Sequence, residues 1–176
     1  MTISFRHLSR AQVAQVWSID RSEVIHNIYV LEGGQLLLKP AYFDAKGWPP
    51  GTAEETTPSL LACFDQGGWC YGAFDDNKLV GAAILESKFI GAAQEQLQLK
   101  FLHVSSAYRQ QGLGKQLFEQ ARTEARNRGA RQMYISATPS ENTIHFYQRR
   151  GCVLVDQPDP ALFALEPEDI HLVCTV

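Results

Sequence analysis

Residues 97–129 read LQLKFLHV, then SSAYRQQGLG, then KQLFEQARTEARNRG. Leu97, Leu99 and Phe101 alternate with Gln98, Lys100 and Leu102, a period of two that predicts a strand inside a packed sheet. The middle segment holds Arg109-Gln110-Gln111-Gly112-Leu113-Gly114, whose two glycines let the backbone turn sharply and let a ligand come close. Beyond it, Leu113, Leu117, Ala121 and Ala125 share one helical face, and Lys115, Glu119, Arg122 and Arg126 share the opposite one. Gly129 ends the helix. A glycine turn feeding a helix N-terminus gathers unpaired N–H groups at the positive end of the helix dipole. Such a turn is built to hold an anion, and a phosphate is the expected one.

Gly-x-Gly by itself also fits an ordinary strand-to-helix turn. It is not the dinucleotide fingerprint, which needs a third glycine after the first strand of a Rossmann unit. Lys115 follows Gly114, but the Gly-x-x-x-x-Gly spacing of a Walker A loop is missing. Tyr108-Arg109-Gln110-Gln111-Gly112-Leu113-Gly114 does resemble the signature of the GNAT superfamily of acyl-CoA-dependent N-acetyltransferases, Gln/Arg-x-x-Gly-x-Gly/Ala after a strand. A second element agrees: Phe146-Tyr147-Gln148-Arg149-Arg150-Gly151 resembles the family's Phe-Tyr-x-x-x-Gly at the end of a short helix. The resemblance covers residues 69–155 and thins before them.

The resemblance implies an α/β fold of the α+β type: a mixed, mostly antiparallel sheet of about six or seven strands with helices on both faces. It implies acetyl-CoA as co-substrate and a primary amine as acceptor, joined by direct attack in a ternary complex. The central strand and the next one are expected to splay apart and admit the pantetheine arm. Leu102 and Val104 then become main-chain contacts. Gln110, Gly112, Gly114 and Lys115 become pyrophosphate binders, with Arg109 shaping the turn, and Ser140 and Asn142 stand where the family has a side chain on the pantetheine arm. Ser140 replaces the usual Asn, and Cys152 replaces the usual Phe after Gly151. Tyr147 corresponds to the general acid near the thioester sulfur; a phenol of pKa near ~10 is protonated at neutral pH and able to donate. For the base, the central strand offers His103, and the end of the neighbouring strand offers Glu86; water relayed to solvent is a third route.

A chain of 176 residues, 45% hydrophobic and 20% charged, suits a single domain spanning residues 1–176. Net charge is −3, which argues against a nucleic-acid binder. Its distribution is uneven: residues 109–150 carry eight basic side chains against three acids, and residues 20–86 carry ten acids against four bases. The basic part coincides with the phosphate turn. The acidic part, with five more acids in residues 156–169, suits a cationic acceptor or a solvated surface. Cys63, Cys70, Cys152 and Cys174 form no C-x-x-C pair and read as buried thiols of a reducing cytoplasm, with no metal site. No stretch approaches the length of a membrane span, so no membrane partner is expected, and a homodimer stays open. A CoA-binding regulatory module without turnover, and a protein-directed acetyltransferase, are the rival classes.

In chain order, residues 2–7 predict a first strand, and Ser9 caps a helix through Val13, Val16 and Trp17. Residues 28–39 flank Gly33-Gly34 with two β-prone runs, a hairpin signal, and 40–51 read as an irregular loop. Together residues 27–51 are an insertion relative to the minimal family fold, packed near the substrate side or extending the sheet edge. A short helix is expected over 57–64, strands over 69–75, 78–85 and 132–137, a helix from Pro139-Ser140, and closing strands over 153–155 and 170–176. An acidic, Pro-rich loop separates the last two.

Overall fold

The computed structural model describes residues 2–176. The strands are β1 (Ile3–His7), β2 (Glu23–Glu32), β3 (Gln35–Ala45), β4 (Trp69–Asp75), β5 (Lys78–Ile90), β6 (Gln96–Val104), β7 (Gln132–Ala137), β8 (Val153–Leu154) and β9 (Ile170–Thr175). The helices are α1 (Arg10–Val13), α2 (Thr52–Asp65), α3 (Leu113–Asn127), α4 (Glu141–Gln148) and α5 (Pro160–Leu165). Seven strands form one sheet in the order β1-β4-β5-β6-β7-β9-β8. Every pair in it is antiparallel except β6 with β7. The mixed, mostly antiparallel sheet with helices on both faces is therefore present as expected.

Each face buries its own apolar cluster. Leu113, Leu117, Phe118, Ala121 and Ala125 of α3 pack with Leu97, Leu99, Ile135 and Ile144 on one side. Val13, Val16, Ile19, Leu60 and Cys63 pack with Phe74, Ile84 and Phe101 on the other. Phe101 thus departs from the simple alternation. The pairings Leu85↔Leu99 and Ile84↔Phe101 leave Lys100 as an extra residue in β6. This bulge turns the strand over, so Leu102 and Val104 join the α3 face while Phe101 goes to the opposite one.

The parallel pairing of β6 with β7 is short: only Gln96–Gln98 face Gln132–Tyr134. Beyond Gln98 the two strands share no rungs, and residues 99–104 present a free edge to the gap. On its other edge β7 stays paired with β9 through Ala137↔Ile170. A sheet that splits at its centre exposes unpaired backbone donors and acceptors, which an extended ligand can complete as a further strand would.

Several elements run longer than the sequence suggests. The hairpin is its own two-stranded sheet rather than an extension of the main one, and β3 continues through Pro40 to Ala45. Pro40 is tolerated because β3 has a free edge, and the register slips between Ile25 and Asn27. Helix α2 starts at Thr52, ahead of the expected Thr57, with Glu54 and Glu55 in its first turn and Pro58 inside it. Strand β5 runs on to Ile90 through an irregularity between Leu85 and Phe89. The acidic loop contains α5, whose Asp159 carboxylate accepts from the N–H of Ala161 and Leu162 with Pro160 at the first turn.

Hairpin and loop are each fastened to the main sheet. Tyr29 donates its N–H to the Pro139 carbonyl at 2.8 Å, and its hydroxyl meets His145 Nε2 at 2.8 Å. On the other side, His171 Nε2 donates to the Glu166 carbonyl at 3.1 Å, so its Nδ1 accepts from the Tyr134 hydroxyl at 2.7 Å. That hydroxyl accepts in turn from the Asp159 N–H at 3.0 Å. Between the two fastened pieces lies a cavity of about 630 Å³, walled by residues 28–31 of the hairpin, by Pro139, by 154–156 and Pro158, and by 167–171 leading into β9.

Candidate active site

Gly112 adopts φ +85° as the N-cap of α3, with open space where a side chain would begin. Gln110, two residues earlier, is also left-handed at φ +62°, a costly conformation for a residue with a Cβ. Together they turn the chain sharply into the start of α3. No side chain caps Gly112, and the first turn of α3 carries no acid. The first N–H groups therefore remain unpaired within the helix, beside the exposed Lys115. A Cβ on Gly114 would sit 3.3 Å from the Phe146 ring, so glycine there also lets α4 lie against the turn.

The turn is held from outside by Arg109 and by residues the sequence did not advertise, Asp20, Ser22, Ser105 and Ser106. Arg109 donates through Nε to the Val104 carbonyl at 3.1 Å and through Nη1 to the Ser22 carbonyl at 3.0 Å. Its side chain is committed to backbone, which makes it a brace of the turn. The Asp20 N–H reaches Ser105 Oγ at 3.0 Å, and its carboxylate accepts from the Ser22 N–H at 2.9 Å and from the Ser106 hydroxyl. These bonds, that of Ser106 first, hold the Asp20 carboxyl down at about 2. A depressed carboxylate adds stability above the ordinary carboxylate pKa, near ~4, that is lost as pH falls through about 2. Asp20→Asn is accordingly expected to lower the melting temperature at pH 7 and to flatten its decline between those two values. An unchanged acid decline in thermal melts would remove Asp20 from the brace.

Tyr147 lies at the end of α4, 7% exposed, packed on Phe118 and Phe146 with ring centroids 6.0 and 5.1 Å away. Burial raises its pKa well above the usual phenol range, so it stays protonated at any working pH. Among the described residues its hydroxyl has no hydrogen-bond partner. A half-sealed phenol without a partner is available to a ligand.

The two base candidates fare differently from expectation. His103 is wedged between Trp48 and Phe101, each ring centroid 4.8 Å away. Burial foremost, then Arg21 and Arg109, pushes it down to about 3, so it takes a proton only in strong acid. The sequence reading assumed an ordinary histidine; the aromatic clamp and two neighbouring guanidinium groups make it a poor base. Glu86 is engaged by Lys100 at 2.8 Å, both side chains about one-fifth exposed. The Asn142 amide donates to Glu23 at 3.0 Å, and Ser140, 1% exposed, caps α4 and donates to Thr143 Oγ1 at 2.9 Å. Those two side chains, expected on the pantetheine arm, instead dock the hairpin and start the helix.

Asp169 was legible only as one acid among five in its loop. It is half-buried on the cavity wall, and no group within the described residues donates a hydrogen bond to it. Burial, then Glu166, raises its carboxyl to about 6, with Arg21 pulling the other way. Its charge reaches Tyr147.

The protein thus presents an uncapped helix start suited to an anion, a free strand edge, a protonated phenol and a carboxylate-walled cavity. Comparison with known proteins identifies the class. The chain belongs to the acetyltransferase (GNAT) family, whose profile matches residues 25–152. Among solved structures it is similar to nourseothricin acetyltransferase, at 20% identity over 99% of both chains with a TM-score of 0.71. It is similar also to the PaiA N-acetyltransferase of Thermoplasma acidophilum in complex with coenzyme A, at 17% identity over 100% of both chains with a TM-score of 0.65. A GNAT family acetyltransferase of Elizabethkingia anophelis with acetyl-CoA bound matches at 20% identity over 76% of this chain and 95% of that one, with a TM-score of 0.55. A comparison with curated protein sequences returns no match. Among the described residues, no helix is long and apolar enough to cross a membrane.

Proposed function

We propose that the protein transfers the acetyl group of acetyl-CoA to a primary amine of a cationic small molecule, by direct attack in a ternary complex. Supporting acetyl-CoA are the uncapped N-terminus of α3 for the pyrophosphate and the free edge of β6, at Leu102 and Val104, for the pantetheine arm. Gln110, Gly112, Gly114 and Lys115 line the first, largely through main-chain N–H groups. Arg109 holds the turn through the Val104 carbonyl, leaving the remaining groups of that edge to the ligand. Tyr147 gives the departing sulfur its proton.

The observation that carries the acceptor class is the cavity beneath the hairpin. Its wall holds Asp156, Glu168 and Asp169 with the aromatic Tyr29 and Phe163, and no lysine or arginine among the described residues. A concave wall of one charge sign concentrates ligands of the other and speeds their capture. Aromatic faces add cation–π attraction for an ammonium group. A concave pocket of this size favours a small molecule over a peptide.

Thiol release from acetyl-CoA tests the reading, with spermidine, nourseothricin and aminoglycosides set against neutral and acidic amines. The cationic acceptors are expected to lead in kcat/KM, with an advantage that shrinks as salt screens the field. Equal, salt-insensitive rates for an acidic amine would contradict the acceptor class. Initial-rate lines that intersect support the ternary complex, and parallel lines would point to an acetyl-enzyme instead.

A further inference from the structure

We propose that Asp169 takes the proton from the acceptor's ammonium group at the wall of the cavity beneath the hairpin. The inference rests on the acetyl-transfer reading above and assigns the base that the central strand does not supply. His103 is clamped and neutral, and Glu86 is held by Lys100. Of the three carboxylates on the cavity wall, Asp156 and Glu168 are exposed and Asp169 is half-buried.

Its surroundings suit the task. Arg21, ahead of β2, is near enough to act on Asp169 electrostatically, yet the two form no ion pair, so the carboxylate keeps its oxygens free. Glu166 of its own loop pushes the other way. The other titratable groups on the cavity wall are Tyr29 from β2, Asp156, Glu168, and His171 from β9. The loop itself is fixed at both ends by the Tyr134–His171 pair and its bonds to Asp159 and Glu166. A base on a stapled loop is held in position, as proton transfer requires. A carboxyl raised to about 6 is ionised at neutral pH and is a stronger base than an exposed aspartate.

The step balances as follows. The entering R–NH3+ gives one proton to the Asp169 carboxylate, leaving R–NH2 and a neutral carboxylic acid. The amine lone pair forms the C–N bond to the thioester carbon, and the C–S bond breaks with its electron pair on sulfur. Tyr147 protonates that sulfur and is reprotonated by the second hydrogen leaving the nitrogen. The products are the N-acetyl amide and coenzyme A thiol, and Asp169 then returns its proton to solvent.

Steady-state kinetics with acetyl-CoA and spermidine from pH 5 to 9 test the assignment, paired with the side-chain carboxyl 13C titration of Asp169 located by its absence in Asp169→Asn. Wild-type kcat is expected to rise with pH through about 6, the pH at which the Asp169 resonance titrates. Asp169→Asn should lose about a hundredfold or more in kcat and lose that limb, while Asp169→Glu restores part of both. Retention of the acetyl-CoA-induced thermal shift in Asp169→Asn shows that the variant is folded with its nucleotide turn intact. A variant that raises only KM would make Asp169 an ammonium anchor and overturn the proposal. Unchanged kcat, or a carboxyl that titrates near the ordinary ~4, would overturn it as well. Absence of both thermal shift and thiol release in the wild type is a different failure, that of the acetyl-transfer reading.

Discussion

Gly114→Asp is expected to abolish the stabilisation that acetyl-CoA confers on the wild-type protein. At a hundred times its Kd, a ligand that binds only the native state adds about 2.7 kcal/mol. For a chain of this length that corresponds to a rise in Tm of about 5–10 °C. The substitution puts a carboxylate at the uncapped start of α3, where the pyrophosphate needs unpaired N–H groups and no competing anion. It also presses a Cβ to within 3.3 Å of the Phe146 ring, so Gly114→Ala serves as the control for crowding alone. Gly112→Asp meets no neighbour but must adopt φ +85°, and it should abolish the shift with a modest loss of basal stability. Scanning calorimetry reads both. A folded Gly114→Asp protein that still shifts fully would place the phosphate site elsewhere.

Tyr147→Phe is the second large effect: kcat should fall by about a hundredfold or more while acetyl-CoA binding hardly changes. Among the described residues the phenol has no hydrogen-bond partner, so removing its oxygen leaves no orphaned group, and the ring keeps its contacts with Phe118 and Phe146. Any loss is therefore a loss of chemistry. Single-turnover rates are the appropriate measurement, since slow product release would mask the step. An unchanged single-turnover rate would leave Tyr147 as packing.

How much of this was legible in the sequence follows from how local each signal is. The turn at 109–114, the face of α3 and the Phe146-Tyr147 element are written in consecutive residues, and the structure presents them where the motif spacing implied. The sheet class followed from the same stretch through the family resemblance. The bulge at Lys100 was invisible, because a strand's register depends on its partner. It moves Phe101 and His103 to the face of Trp48, and that long-range contact is what disarms His103. Ser140 and Asn142 were misplaced for a related reason: their partners, Thr143 aside, come from the hairpin more than a hundred residues earlier. The start of α5 did carry a local sign, Asp159-Pro160, an N-cap followed by the residue favoured at the first helical position. Asp169 carried none. Its distinction from the four other acids of the loop is its burial on the cavity wall near Glu166 and Arg21, which only the folded chain brings together.

A crystal structure of the protein with acetyl-CoA tests the central claim most directly. The account predicts the pyrophosphate within hydrogen-bond distance of the N–H groups at 110–115, and the pantetheine arm in the gap beyond Gln98, paired with the backbone of β6 at Leu102 and Val104. It also predicts the thioester sulfur beside the Tyr147 hydroxyl, with Asp169 facing the acetyl group across the cavity. A nucleotide bound away from the α3 turn, or a β6–β7 gap zipped shut with Tyr147 remote from the sulfur, would contradict it.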